Sequence, residues 1–236
     1  MGKTKVLALG ASGMLGAMVT DYLARDSSLD VTATVRNARW LERGQAAIPE
    51  ARWIDFDADH FNDTSPSELF ADYQYVINAI GIIKPYIHDD NPQEIERALR
   101  VNVSFPFWLS RAAEECGFDV VQITTDCVYS GLKGDYTESD AHDALDVYGK
   151  SKSMGEVSSD RVFQLRCSII GPETGANVSL LEWFLGQPQN ASIQGFANHR
   201  WNGVTTLHFA KICQGIIADR LKLPASQHVL SGDILT

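Results

Sequence analysis

The segment Tyr148-Gly149-Lys150-Ser151-Lys152 sets a phenol and an ammonium four residues apart. On a helix, positions i and i+4 share a face, so both groups can meet one ligand. A phenol with a pKa of about 10 is a poor proton donor or acceptor near neutrality, and a neighbouring ammonium favours its ionised form. The sequence therefore predicts that Lys152 lowers the Tyr148 pKa. Tyr-x-x-x-Lys alone is a weak signal. Here Ile123-Thr124-Thr125-Asp126 precedes it, with Thr125 lying 23 positions before Tyr148. The run reads as a strand with a polar carboxyl end, where open parallel sheets bind ligands. A hydroxyl there can hydrogen-bond a carbonyl beside the tyrosine. The chemistry on offer is proton transfer to or from a carbonyl oxygen.

Such chemistry needs a redox partner, and the N-terminus offers a place for one. Lys5–Leu9 runs into Gly10-Ala11-Ser12-Gly13-Met14-Leu15-Gly16, a G-x-x-G-x-x-G loop that opens an amphipathic helix. In a dinucleotide cradle these glycines serve a tight turn, close backbone approach to a pyrophosphate, and close packing of helix on strand. The anion then rests on free N–H groups at the positive end of the helix. Glycines serving only a turn remain the alternative, and the strand–turn–helix context favours the cradle. The second strand ends Val35-Arg36-Asn37, with no acid before Glu42 to bond a ribose 2′-hydroxyl. Arg36 instead suits a 2′-phosphate, which points to NADP; a solvated surface arginine is the other reading. Asn78-Ala79-Ile80-Gly81 ends a further strand and can turn towards the cofactor. For Asn78 and Asn102, backbone capping or turn support is an equal alternative.

Strands are predicted at Lys5–Leu9, Val31–Val35, Arg52–Phe56, Tyr75–Ala79, Val120–Thr125, Val162–Ser168 and His228–Ser231. Helices are predicted at Gly13–Arg25, Pro92–Cys116, Tyr148–Val157, Leu180–Leu185 and Thr206–Arg220, with a kink near Phe105 because Pro106 falls inside the second. The alternation specifies an α/β fold, a Rossmann-type doubly wound parallel sheet. A soft boundary falls at residue 171, giving a domain over 1–171 and a small C-terminal lobe over 172–236, partly interleaved with it.

The 236 residues carry a formal charge of −10, which argues against a nucleic-acid groove, though not against anionic small ligands. No apolar run is long enough to span a membrane, and no signal peptide is read at the N-terminus. The four cysteines, Cys116, Cys127, Cys167 and Cys213, form no metal or redox spacing. They are expected to be reduced thiols in a cytoplasmic protein, and no metal site is predicted.

With these pieces assembled, the chain resembles the extended short-chain dehydrogenase/reductases, and within them the dTDP-4-dehydrorhamnose reductase branch of sugar-nucleotide reductases. The resemblance runs from Lys5 to about Ser231. Its specific part is Gln122-Ile123-Thr124-Thr125-Asp126-Cys127-Val128-Tyr129-Ser130-Gly131, followed by Tyr148 to Lys152. By that resemblance Thr125 binds the carbonyl, Tyr148 donates the proton, Lys152 holds the ribose, and Asp126 touches the sugar or positions Tyr148. Asn102 matches the asparagine of a V-N-x-x segment, Asp57 the acid near the adenine, and Ser168 the strand beside the nicotinamide. Cys127 stands where the family usually has Tyr. The implied activity is NADPH-dependent reduction of a nucleotide-linked 4-keto-6-deoxy sugar, for surface polysaccharide synthesis. A sugar-nucleotide epimerase or dehydratase, or a non-catalytic NADP-binding subunit, are the alternatives. His199 and Arg200 are candidates for the substrate diphosphate. A short lobe is expected to leave Leu180, Trp183, Phe184, Ile216 and Ile217 partly uncovered, which predicts a homo-oligomer or a loosely ordered lobe.

Overall fold

A computed structural model describes residues 2–175, 179–197 and 201–218, and the backbone of 229–230. Its centre is a seven-stranded parallel sheet built from β1 (Thr4–Leu9), β2 (Leu29–Val35), β3 (Arg52–Asp55), β4 (Tyr75–Asn78), β5 (Asp119–Thr124), β6 (Val162–Arg166) and β9 (Val229–Leu230). The order is β3-β2-β1-β4-β5-β6-β9. Strand order reverses between β1 and β4, so the carboxyl ends of these two strands open a crevice at the switch point. The short strands β7 (Ile169–Ile170) and β8 (Val204–Thr205) pair separately.

The central strands are apolar on both faces, and two layers cover them. On one face α1 (Met14–Ala24) and α8 (Thr206–Ile217) pack together, with Leu15, Val19, Leu23, Phe209, Ile212 and Ile216 in one buried cluster. On the other, α5 (Phe105–Cys116) lays Phe105, Trp108 and Leu109 against Leu7, Leu9 and Val76. Elements from both sides of residue 171 thus share the main sheet.

Three local findings differ from the sequence reading. Residues Ala38–Ala47 form helix α2, capped by the Asn37 side chain on Trp40 N–H, and Pro66–Phe70 form the short α3. The expected single helix over Pro92–Cys116 is three pieces: α4 (Pro92–Leu99), a π-helical stretch Arg100–Ser104, and α5. Pro106 lacks the N–H that would bond the Asn102 carbonyl, and Phe105 N–H reaches back five residues to Arg100. The expected kink is therefore a widened turn, and it carries Asn102. Finally, Ile216 and Ile217 are buried under α1, whereas Leu180, Trp183 and Phe184 of α7 (Leu180–Leu185) are 66%, 46% and 54% exposed. Only the α7 members of the expected uncovered set are uncovered. No helix among the described residues is long and apolar enough to cross a membrane.

Candidate active site

The glycine loop turns where β1 ends. Gly10 has φ of +82°, a left-handed conformation that other residues rarely adopt, and a Cβ there would come within 2.8 Å of the Ile80 side chain. Gly16 is pressed onto the Gly10 carbonyl, and any side chain would push α1 off β1. Helix α1 starts at Met14 with Gly13 as its N-cap and no side-chain cap. The first N–H groups of the helix, at Met14, Leu15 and Gly16, therefore receive no side-chain cap and suit an anion.

A cleft of about 380 Å³ runs from this loop along the switch point. Gly10, Ser12, Gly13, Arg36, Asp57, Ala79 and Gly81 line it together. Arg36 is exposed at its rim. Asp57 accepts from Asp59 N–H at 3.0 Å, so one carboxylate oxygen is used to cap the turn after β3. Asn78 is used for structure: its amide donates to Gln122 at 2.8 Å and its carbonyl oxygen accepts from Ile80 N–H at 3.0 Å. It shapes the β4 turn, while the backbone of Ala79 and Gly81 faces the cleft. A wider groove of about 1580 Å³ lies between α5 and residues 156–164, and none of the candidate residues lines it.

Two of the catalytic candidates, Asn102 and Lys152, reach the Gly81 end of the cleft. A Cβ on Gly81 would lie 3.4 Å from Asn102 Oδ1 and 3.8 Å from Lys152 Nζ. Asn102 is 2% exposed, and its amide brackets the Ile82 backbone, accepting from N–H at 2.8 Å and donating to the carbonyl at 3.0 Å. It also donates to Ser151 Oγ at 3.1 Å, which fastens the π-helical stretch to α6 (Val147–Met154). Asn102 therefore positions the elements and does not offer a free amide to a ligand.

Helix α6 starts at Asp146, whose side chain accepts from Gly149 N–H at 2.7 Å. Gly149 sits directly on the Cys127 carbonyl and Ala144, which lets the helix approach the end of β5. That approach brings the Tyr148 phenol near Thr125, which favours its ionised form. Thr125 also accepts from Cys127 N–H at 3.1 Å and caps the turn after β5. Asp126 accepts the Ser168 hydroxyl on both oxygens, at 2.9 and 2.7 Å, which ties the turn after β5 to the segment after β6.

Burial pushes the Tyr148 phenol up to about 12, opposed by the Thr125 hydrogen bond and reinforced by Cys127, Asp126 and Asp146. The expectation that Lys152 holds the phenol down is corrected here. Lys152 is 8% exposed and aims its ammonium at the Ile123 carbonyl, 3.1 Å away. Burial brings Lys152 itself down to about 8, against the Glu156 charge, which acts upward. Without a cofactor the phenol keeps its proton at neutral pH, and the amine is close to its own midpoint.

Behind the site, Arg166 and Glu156 form a buried ion pair at 2.6 Å, and Glu156 also accepts the Thr124 hydroxyl at 2.7 Å. Nothing in the Tyr-x-x-x-Lys spacing signals this pair, nor Ser151 and Gln122. His199 and Arg200 lie outside the described residues. Among the described residues, no cluster of three or more His, Cys, Asp or Glu side chains could hold a metal ion. Cys127 is exposed at the edge of the site, Cys167 and Cys213 are buried, and all four thiols are free.

The family model described as RmlD substrate binding domain matches residues 4–178. The chain is similar to the mouse methionine adenosyltransferase 2 subunit beta, 27% identical over 154 residues, covering 64% of this chain and 41% of that one. It is also similar to dTDP-4-dehydrorhamnose reductase of Aggregatibacter actinomycetemcomitans, 27% identical over 206 residues, covering 85% of this chain and 63% of the relative. The chain thus spans about two fifths to three fifths of the length of these relatives. Among solved structures, the Bordetella bronchiseptica enzyme WbmG in complex with NAD and UDP superposes with a TM-score of 0.76 at 14% identity, covering 98% of this chain and 72% of that one. At that identity the likeness concerns the fold.

Proposed function

This chain belongs to the RmlD substrate-binding domain family, and from that premise we propose that it is an NADPH-dependent oxidoreductase reducing a keto group on a nucleotide-linked 6-deoxy sugar. The observation that carries the reading is the Tyr148 hydroxyl. Burial keeps its proton on at neutral pH, Thr125 at the carboxyl end of β5 acts on it, and Lys152 of the same helix reaches the Gly81 end of the glycine-loop cleft.

The cleft fits a dinucleotide. Gly10, Ser12 and Gly13 leave backbone room for a pyrophosphate, and the uncapped start of α1 offers N–H donors. Arg36 stands at the adenosine end, where its guanidinium suits a 2′-phosphate. Asp57, Ala79 and Gly81 line the wall between, and Lys152 at the far end would hold the nicotinamide ribose. A nicotinamide bound there supplies hydride to a carbonyl carbon. The chain's own residues do the rest. Thr125 donates a hydrogen bond that orients the carbonyl oxygen, and Tyr148 passes its proton to that oxygen. The loss of that proton leaves a phenolate, whose ionisation Thr125 favours. Asp126, held by Ser168, would bond a sugar hydroxyl. The C-terminal stretch after Gly171 supplies the remaining sugar-nucleotide contacts.

The similarity to methionine adenosyltransferase 2 subunit beta favours one second reading, a cofactor-binding subunit without turnover. The two are separated by screening a panel of nucleotide-linked keto sugars with NADPH oxidation as the readout, alongside NADPH binding by fluorescence. Turnover with one or more keto sugars supports the reductase. Binding of NADPH with no oxidation across the panel overturns it in favour of the subunit.

A further inference from the structure

Residues 82–91 leave β4 and pass over the start of α6 before entering α4. Two contacts fasten them there. The Lys84 ammonium lies 2.6 Å from Asp146 Oδ2, and Asp89 accepts from Val147 N–H at 3.2 Å. The other oxygen of Asp146 accepts from Gly149 N–H. One carboxylate therefore joins Lys84 to the helical turn that carries Tyr148. No role described above uses Lys84, which lies 62 positions from its partner.

Charge gives a second reason to single it out. The phenol faces Thr125 from the end of β5, Asp126 and Cys127 from the turn after it, and Asp146 from the start of its own helix. Both carboxylates oppose ionisation of Tyr148. Asp126 is occupied by the neutral Ser168 hydroxyl. Asp146 alone is paired with a cation, which holds its carboxyl below the ordinary range against the opposing effect of burial. The same ammonium is felt at Cys127, in the turn after β5. Lys152 points away to Ile123 and does not serve this purpose.

We propose that Lys84 is a positioning residue for Tyr148: through Asp146 it fixes the first turn of α6 and neutralises the carboxylate that this turn sets beside the phenol. The proposal rests on the reading of Tyr148 as proton donor. An exposed ion pair with a purely structural role stabilises little, and either of its partners can be removed with the same consequence. An electrostatic role behaves differently. Removing Lys84 leaves a bare anion near Tyr148, while removing the Asp146 charge leaves a bare cation. The two changes break one contact and must move the phenol in opposite directions.

The test places 2,3-difluorotyrosine at position 148 of the full chain and follows its titration by fluorine NMR. Lys84→Met is expected to raise the midpoint by about half a pH unit, and Asp146→Asn, which keeps a cap for Gly149, to lower it. The double variant returns close to wild type, and Lys84→Arg stays there. A shift of the same sign in both single variants, or none in Lys84→Met, overturns the proposal. The titration needs neither cofactor nor substrate, so its outcome is independent of whether any keto sugar is reduced. Where turnover is found, the alkaline limb of kcat moves to higher pH in Lys84→Met, because Tyr148 keeps its proton longer.

Discussion

On the two sides of Gly171, the groups around Tyr148 and those around α7 are treated in opposite ways, while α8, also after Gly171, packs in the core. Before it, the polar groups near Tyr148 are buried or half-buried and partnered: Thr125 with Cys127, Asp126 with Ser168, Asn102 with Ile82 and Ser151, Glu156 with Arg166. After it, α7 holds Leu180, Trp183 and Phe184 in the open, and Phe196 and Trp201 are 79% and 51% exposed. Buried polar groups that are fully satisfied fix one geometry, because any misplacement strands a donor or acceptor. Exposed apolar groups fix none. Under the proposed function, the difference assigns proton transfer to groups held within the sheet, and recognition of the larger substrate to surfaces that α7 and its neighbours have not closed over.

The strongest test of that division is Tyr148→Phe. Loss of the hydroxyl is expected to lower kcat by about 100-fold or more, the scale of lost general acid help, with NADPH affinity unchanged. Stopped-flow turnover and cofactor titration separate the two quantities. Wild-type turnover in the Phe variant would move the chemistry out of the sheet half and collapse the contrast.

A smaller effect is expected at the adenosine end, where the sheet half itself opens to solvent at Arg36. Arg36→Ala is expected to remove most of a preference for NADPH over NADH, about 1.5–3 kcal/mol for a charge-assisted contact. Fluorescence titration of both cofactors measures it, and equal affinities in the wild type would sink the NADP assignment.

Lys152 offers a test in which function and stability part company. Its folded value of about 8 lies below the ordinary 10.5. Between those values the unfolded chain binds more protons than the folded one, so stability rises with pH through that window. Below pH 8 both states are charged and the burial penalty is complete. Lys152→Met removes the penalty and loses the Ile123 hydrogen bond. The net expectation is a gain of about 1–2 kcal/mol at pH 7, fading as pH climbs towards 10.5. Urea unfolding at pH 7 and about pH 9.5 reads this difference, and a less stable variant at pH 7 refutes it.

What the sequence disclosed follows the same division. The glycine loop and Tyr148–Lys152 were legible because each is a local pattern: glycines at fixed offsets on a strand–turn–helix, and two groups on one helical face. The seven strands of the main sheet were legible from apolar runs, with ends shifted by a residue or two, whereas the two-residue β7 and β8 were too short to show a pattern. Lys84, Gln122 and Arg166 were not, because their partners lie 62, 44 and 10 positions away and nothing in the spacing announces them. Asp146 carried a usable signal, an Asp at the N-cap position two residues before Tyr148. The Tyr148 shift was misjudged for a different reason. Burial dominates it, and the direction in which Lys152 points is set by the β5 backbone, which no helical spacing specifies. Asn78 and Asn102 show a related limit, since an amide beside a ligand crevice and an amide that builds the crevice look alike until their partners are seen.

The smallest effect is expected in α7. Leu180 and Phe184 lie four positions apart on one helical face, both more than half exposed, so the pair Leu180→Ser and Phe184→Ser removes little buried area within the chain. Surface changes of this kind stay within about 0.5 kcal/mol of unfolding free energy. Contiguous exposed apolar side chains also favour association. The double variant is therefore expected to match wild-type stability in dilute solution and to show less self-association in light scattering at high concentration. A stability loss well beyond that range in a monomeric sample would mean that other parts of the chain cover this face. The stretch after Gly171 would then be packed as firmly as the sheet before it.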